Sequence, residues 1–216
     1  MSPLDAAAHG HRARIGQALV ELAAGHSYEE ITTAMIAAAA GLRPAEVEAC
    51  FATKQECFAG VWQDLSDELL SRLWSAMVNG TDWREGLRAA AHVALGFFTE
   101  DPERSRFFLV EVLEANEMAR ARRDLLFQEA VELVDLGRRE LEDPEALSRD
   151  RAEAVLGAIY ERINSAFANG ELAGDAGLEA VRQMMYVAVL PYAGQAAASE
   201  ELELPAPAWV APPAPS

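Results

Sequence analysis

The sequence predicts an all-α protein. Hydrophobic residues make up 51% of the 216 positions but aromatics only 7%, and alanine-rich runs alternate with charged residues, a mix that favours helix over sheet. Apolar residues recur at three- and four-residue spacing, the period of one helix face. Pro, Gly, Asp and Asn signals separate these segments, so about nine helices are expected and no strand.

The first helix is read over residues 12–24, where Ile15, Leu19 and Leu22 share a face with Ala18. After Gly25-His26, Thr32 or Thr33 is placed to cap a second short helix through Ala39, because a threonine oxygen accepts from first-turn amides. Gly41 supplies the turn. Pro44 opens a third helix, at the one position where a missing amide costs nothing, with Val47 and Phe51 four apart on its inner side. A fourth helix runs from Lys54 to about Val78 and stops at Asn79-Gly80. Five more follow, over Asp82–Thr99, Pro102–Ala115, Glu117–Leu141, about Leu147–Ala168 and Ala176–Ala198. Pro191 is expected to kink the last of these by removing a backbone bond and crowding the preceding turn. The proline-rich tail, residues 203–216, cannot continue a helix and is expected to be extended and laid on the surface by Trp209.

Composition narrows the function. The net charge of −17 keeps the chain soluble and repels polyanions at long range, so a nucleic-acid role needs locally placed cations. Cys50 and Cys57 have neither CxxC spacing nor a histidine cluster, and His9, His11, His26 and His92 have no ligand spacing. Buried thiols and no metal or cofactor are expected. A surface or tail role is expected for His9, His11 and His26, whereas His92, in mid-helix beside Arg88 and Thr99, is expected to be exposed or hydrogen-bonded. No GxSxG, GxGxxG or P-loop pattern occurs, so an enzyme is not expected. There is no run of 18 uncharged apolar residues, and the N-terminal segment lacks the basic-then-apolar order of a signal peptide. A cytoplasmic protein without membrane contact is the expectation.

The order from residue 12 to residue 58 resembles the TetR family of bacterial transcription regulators: RxRI in the first helix, TTxxIAxxAG across 32–41, a turn, a short helix, then Phe51 and Lys54. The resemblance implies a helix-turn-helix domain over 1–53, a ligand-binding and dimerisation domain over 54–202, and the tail over 203–216. It also implies a homodimer on a double-stranded DNA operator, typically a repressor released by a small-molecule effector. The third helix would enter the major groove, and the implied DNA-facing residues are Arg12, Thr32, Thr33, Arg43, Pro44, Ala45, Glu48 and Lys54.

Glu48 stands where the family usually has a phosphate-contacting tyrosine, and Cys50 also departs from a phosphate-contacting position. An ionised carboxylate donates nothing, and Glu46 adds a second negative charge. Over residues 1–58 four cations face seven carboxylates, whereas DNA readers are normally locally basic. A second reading therefore stays open, a dimeric small-molecule-binding homologue that has lost DNA binding.

Residues 184–193, MMYVAVLPYA, are apolar all round and have to be covered on more than one side. With the broad stripe of the preceding helix they form the expected dimer surface, a four-helix interface between two copies. Its candidates are Val155, Ile159, Ile163 and Phe167, with Met185, Val189 and Tyr192. Candidate walls for an effector pocket are Trp62, Trp74, His92, Phe97, Phe108, Phe127, Tyr160 and Met184. For each aromatic or Met at helical spacing, packing is the simpler role.

Overall fold

The computed structural model describes residues 3–111 and 117–210, and every regular element among them is helical. Helices α1 (Pro3–Gly25), α2 (Thr33–Ala40), α3 (Pro44–Cys50) and α4 (Lys54–Asn79) follow the predicted order. They are joined by α5 (Trp83–Glu100), α6 (Pro102–Arg106), α7 (Glu117–Asp135), α8 (Asp150–Ala168) and α9 (Gly174–Glu201).

Several boundaries differ from the sequence reading, each for a local reason. Helix α1 starts at Pro3 rather than at residue 12. Its first turns are built from alanines, which form helix readily but leave no apolar stripe to detect. The helix read over Pro102–Ala115 is α-helical only to Arg106 and passes into a wider π-type turn over Phe107–Glu111; its last part, from residue 112, lies outside the described residues. Helix α7 ends at Asp135, with a tighter 3₁₀ turn carrying the chain to Glu140. Gly137 lies within that turn, under Trp83, where an added Cβ would sit 2.6 Å from the indole ring. A further 3₁₀ turn, Pro144–Ala146, precedes α8, which starts at Asp150 rather than at Leu147. In α9 the break falls at Gly194 (φ 79°, ψ 178°), three residues beyond Pro191. Proline fits helical φ and loses one bond, whereas glycine takes a positive φ with no Cβ penalty.

The described residues form two compact units. The first comprises residues 1–67 and 101–124, the second 68–100 and 125–216, so α4 contributes to both. In the first unit Ile15, Leu19, Ile31, Ile36, Val47 and Phe58 are almost completely buried. Tyr28 meets Phe58 edge-on at 4.8 Å, and Trp62 stacks on Phe108 at 5.1 Å while its indole N–H donates to the Phe108 carbonyl at 3.0 Å. The π-type turn thus carries a side-chain bond from α4.

In the second unit α5 packs on α9, and α9 also packs on α8. Trp83 opens α5 with its backbone N–H on Glu140 (2.9 Å), its indole N–H on the Leu133 carbonyl (3.1 Å) and its ring 5.0 Å from Tyr192. Residues 204–207 take no regular secondary structure and Trp209 is exposed, while residues 211–216 lie outside the described part. No helix is long and apolar enough among the described residues to cross a membrane.

Candidate nucleic-acid interface

The helix-turn-helix is completed by caps that the sequence only partly signals. Thr32 Oγ1 accepts from the Met35 amide at 3.2 Å, closing the start of α2. At its end Gly41 adopts φ 61°, its N–H bonds Ala38 O, and the Leu42 N–H returns to Ala37 O. This left-handed cap satisfies carbonyls that have no partner within the helix. Arg14 adds its guanidinium to the Ala40 and Gly41 carbonyls at 2.6 and 2.7 Å, placing a cation at the negative end of the helix dipole.

Helix α3 begins at Pro44, and its first turn is held by Glu46. The Glu46 carboxylate accepts from the Arg43 backbone N–H at 2.8 Å and from the Arg43 guanidinium at 3.0 Å. This is the glutamate half of a capping box, three residues into the helix. These two donors, the guanidinium foremost, hold the Glu46 carboxyl down at about 2. Glu46 therefore does not project freely, and the second negative charge expected beside Glu48 is paired with Arg43. Glu48 is exposed and makes no hydrogen bond or ion pair among the described residues.

Helix α3 ends at Phe51, which is buried, and whose backbone N–H closes on Val47 O. The ring lies against Gly60 of α4, where a Cβ would come within 2.3 Å of Phe51 Cε1. Arg12 covers the ring's other surroundings, its guanidinium carbon 4.6 Å from the ring centroid, while it chelates Asp64 at 3.0 and 3.1 Å. Lys54 donates to the Tyr28 carbonyl at 2.9 Å and sits 4.1 Å over the Tyr28 ring. Thr53 and Glu56 cap α4 reciprocally, through Thr53 Oγ1 on the Glu56 amide and Glu56 on the Ala52 amide.

Each of the four cations near the helix-turn-helix thus has an intramolecular partner. Arg43, Pro44, Ala45 and Glu48 are exposed on α3; Thr32 is exposed and Thr33 half-exposed at the start of α2. Around them the outward positions Ala34, Ala38, Ala39 and Ala49 carry only methyl groups. Arg43 is the group on this face with several donors for a base edge or phosphate.

Comparison with solved structures decides the fold. The fatty acid degradation regulator FadR from Bacillus halodurans superposes with a TM-score of 0.72 at 17% identity, covering 86% of this chain and 97% of that one. The chain has the fold of the TetR-type regulators. FadR from Bacillus subtilis, solved in complex with stearoyl-CoA, matches at TM-score 0.69 and 17% identity over 85% of this chain and 98% of that one. A TetR family regulator from Marinobacter aquaeolei VT8 matches at 0.63 and 21% over 83% and 95%. By sequence, the nucleoid occlusion factor SlmA of Shewanella frigidimarina is 29% identical over 162 residues, 74% of this chain and 80% of that protein. No family model matches the chain.

Within this TetR-type fold the candidate pocket residues are divided between the two units. Trp62 and Phe108 stack on each other in the core of the first unit. Trp74, His92, Phe97, Phe127, Tyr160 and Met184 belong to the second. Phe97 is fully buried, edge-on to Phe98, and Met184 is buried, whereas Trp74, Phe127 and Tyr160 are half-buried. His92, expected to be exposed or hydrogen-bonded, is buried, and its Nδ1 has no partner among the described residues. Burial first, then the charges of Arg88 and Arg182, push its pKa down.

The dimer candidates also separate. Val155, Met185, Val189 and Tyr192 are buried within the chain's own packing and offer no surface for a second copy. Ile159, Ile163 and Phe167 are half-exposed along α8, and Val187 and Leu190 are exposed on α9. Within the apolar run 184–193, Met184, Met185, Ala188, Val189 and Tyr192 are buried while Val187 and Leu190 are exposed, a division that helical phase alone did not tell. The residue that sequence reasoning missed altogether is Glu201, buried between Arg84 and Arg88; its partners lie more than 110 positions away, and no local pattern announces them.

Proposed function

We propose that the chain is a DNA-binding transcription regulator that places α3 in the major groove and acts as a homodimer, repressing until a small-molecule effector releases it. The observation that carries this reading is the folding-back of Glu46 onto Arg43. It removes one of the two carboxylates from the outward face and leaves α3 capped, with Arg43, Pro44 and Ala45 exposed. Two such helices in a dimer would occupy adjacent major grooves roughly 34 Å apart. A carboxylate at Glu48 remains compatible with a cytosine amino group.

The FadR complex with stearoyl-CoA supports an effector site for this chain in its larger helical domain, beyond α4. The half-exposed row Ile159, Ile163 and Phe167 with Val187 and Leu190 supports a two-helix contribution from each subunit to the dimer. The test is fluorescence anisotropy at low salt with fragments upstream of its own gene. Binding that competitor DNA does not displace is expected; its absence from the dimer at micromolar concentration overturns the reading.

The engagement of Arg12, Arg14, Arg43 and Lys54 by the chain itself favours a second reading, a small-molecule-binding homologue without DNA binding. Wild-type protein that is inert, with DNA binding gained on Glu48→Lys, would establish it. Tight operator binding by the wild type would exclude it.

A further inference from the structure

The second unit contains buried polar atoms that its own packing leaves unsatisfied. Helix α5 carries Arg84, Arg88 and His92 at four-residue intervals, one above the other on a single face. That face meets α9 running in the opposite direction, since Arg84 and Arg88 reach Glu201 near the end of α9 whereas Leu95 lies beside Gly177 near its start. His92 falls between these two contacts.

His92 is only 8% exposed, and its Nδ1 has no hydrogen-bond partner among the described residues. Arg88 spends its Nη1 on Glu201 at 2.6 Å, yet its Nε is also buried and, among the described residues, unpartnered. Buried polar groups are nearly always paired, so two orphans one helical turn apart ask for a missing partner. The charges acting on His92 are those of Arg88 and of Arg182 on α9, both positive. Arg88 Nε only donates, and His92 Nδ1 donates in its Nδ1–H tautomer, so a third party that meets both in that field is an acceptor, preferably an anionic one.

We propose that the seam between α5 and α9 holds the anionic oxygens of a small effector, a carboxylate or a phosphate, which accept from Arg88 Nε and from His92 Nδ1. The inference rests on the regulator reading above for its biological role and names the chemical class of the effector. Arg182 contributes long-range attraction, and Glu201 positions Arg88 from its far side. The break at Gly194 lies in the same stretch of α9, between Arg182 and Glu201.

The experiment uses full-length protein labelled with ¹⁵N-histidine. Sodium acetate and inorganic phosphate are titrated separately against sodium chloride at matched ionic strength, and the imidazole nitrogens are followed by NMR. A saturable shift of His92 is expected with at least one of the two, while exposed His26 follows ionic strength alone. Acetate saturating alone assigns a carboxylate, phosphate alone a phosphate. Arg88→Lys should weaken the response at least tenfold and Arg182→Ala several-fold. Because Arg88 also pairs with Glu201, His92→Phe serves as the second variant: it should fold, yet lose any anion-induced rise in melting temperature. A His92 signal that tracks His26, or a melting response retained in His92→Phe, overturns the proposal and leaves a buried water as the partner. Operator binding measured in parallel separates the two failures. DNA binding without a His92 response sinks this inference alone, and a His92 response without DNA binding sinks only the regulator reading.

Discussion

Replacing Glu201 by glutamine tests whether the C-terminal end of α9 is fastened by charge rather than by shape. The Glu201 side chain is 0% exposed, and its two oxygens accept from Arg84 Nε at 2.8 Å and Arg88 Nη1 at 2.6 Å. Glutamine keeps the size but turns one acceptor into a donor aimed at a guanidinium. Removing one partner of a buried pair costs about 3–5 kcal/mol, because the remaining charge stays desolvated. Arg84 retains Glu200 and the Ala197 carbonyl, and Arg88, with a side chain 12% exposed, retains neither. The lower end, about 3 kcal/mol, is therefore expected. At roughly 2–4 °C per kcal/mol for a chain of this length, Glu201→Gln should lower the melting temperature by about 6–12 °C. Circular dichroism at the helical minimum reads this directly. Glu200→Gln is the control, since its side chain is 64% exposed and a solvated pair contributes about 0–1 kcal/mol. Equal melting temperatures for the two variants would refute the reasoning.

Three further outcomes follow from the same geometry. Glu48→Lys should leave α3 intact and steepen the dependence of log affinity on log salt by about one unit, the effect of one added phosphate contact; an unchanged slope in DNA titrations would remove Glu48 from the interface. Glu46 should titrate near 2 rather than at its ordinary 4.5, so its hold on the start of α3 is complete above 4.5 and is lost as pH falls through about 2; an NMR midpoint for the Arg43 amide close to 4.5 would contradict the cap. Gly60→Ala should destabilise the first unit by about 1–3 kcal/mol through overpacking against Phe51, and a melting temperature equal to wild type would show that the ring moves aside freely.

Glu46 illustrates how local chemistry was legible but incomplete. A glutamate three residues after a helix start is a capping signal, yet with Arg43 rather than Ser or Thr at the cap position it read as one of two outward charges. Glu48, by contrast, is left exposed by the structure. Gly41 and Pro44 were assigned their roles from sequence, and the cap of α2 was narrowed to Thr32 or Thr33, because these effects are local: positive φ, a missing amide and a side-chain acceptor.

The sequence by itself determined the helical class, the order of the helices and the helix-turn-helix, since periodicity, caps and breakers act within a few residues of one another. Only the tertiary structure decided which face of α9 turns inward, that Arg12, Arg14 and Lys54 are engaged by Asp64, Ala40 and Tyr28, and that Glu201 and His92 are buried. Those outcomes depend on pairings across tens to more than a hundred residues, where desolvation and charge are settled by neighbours that no local pattern names.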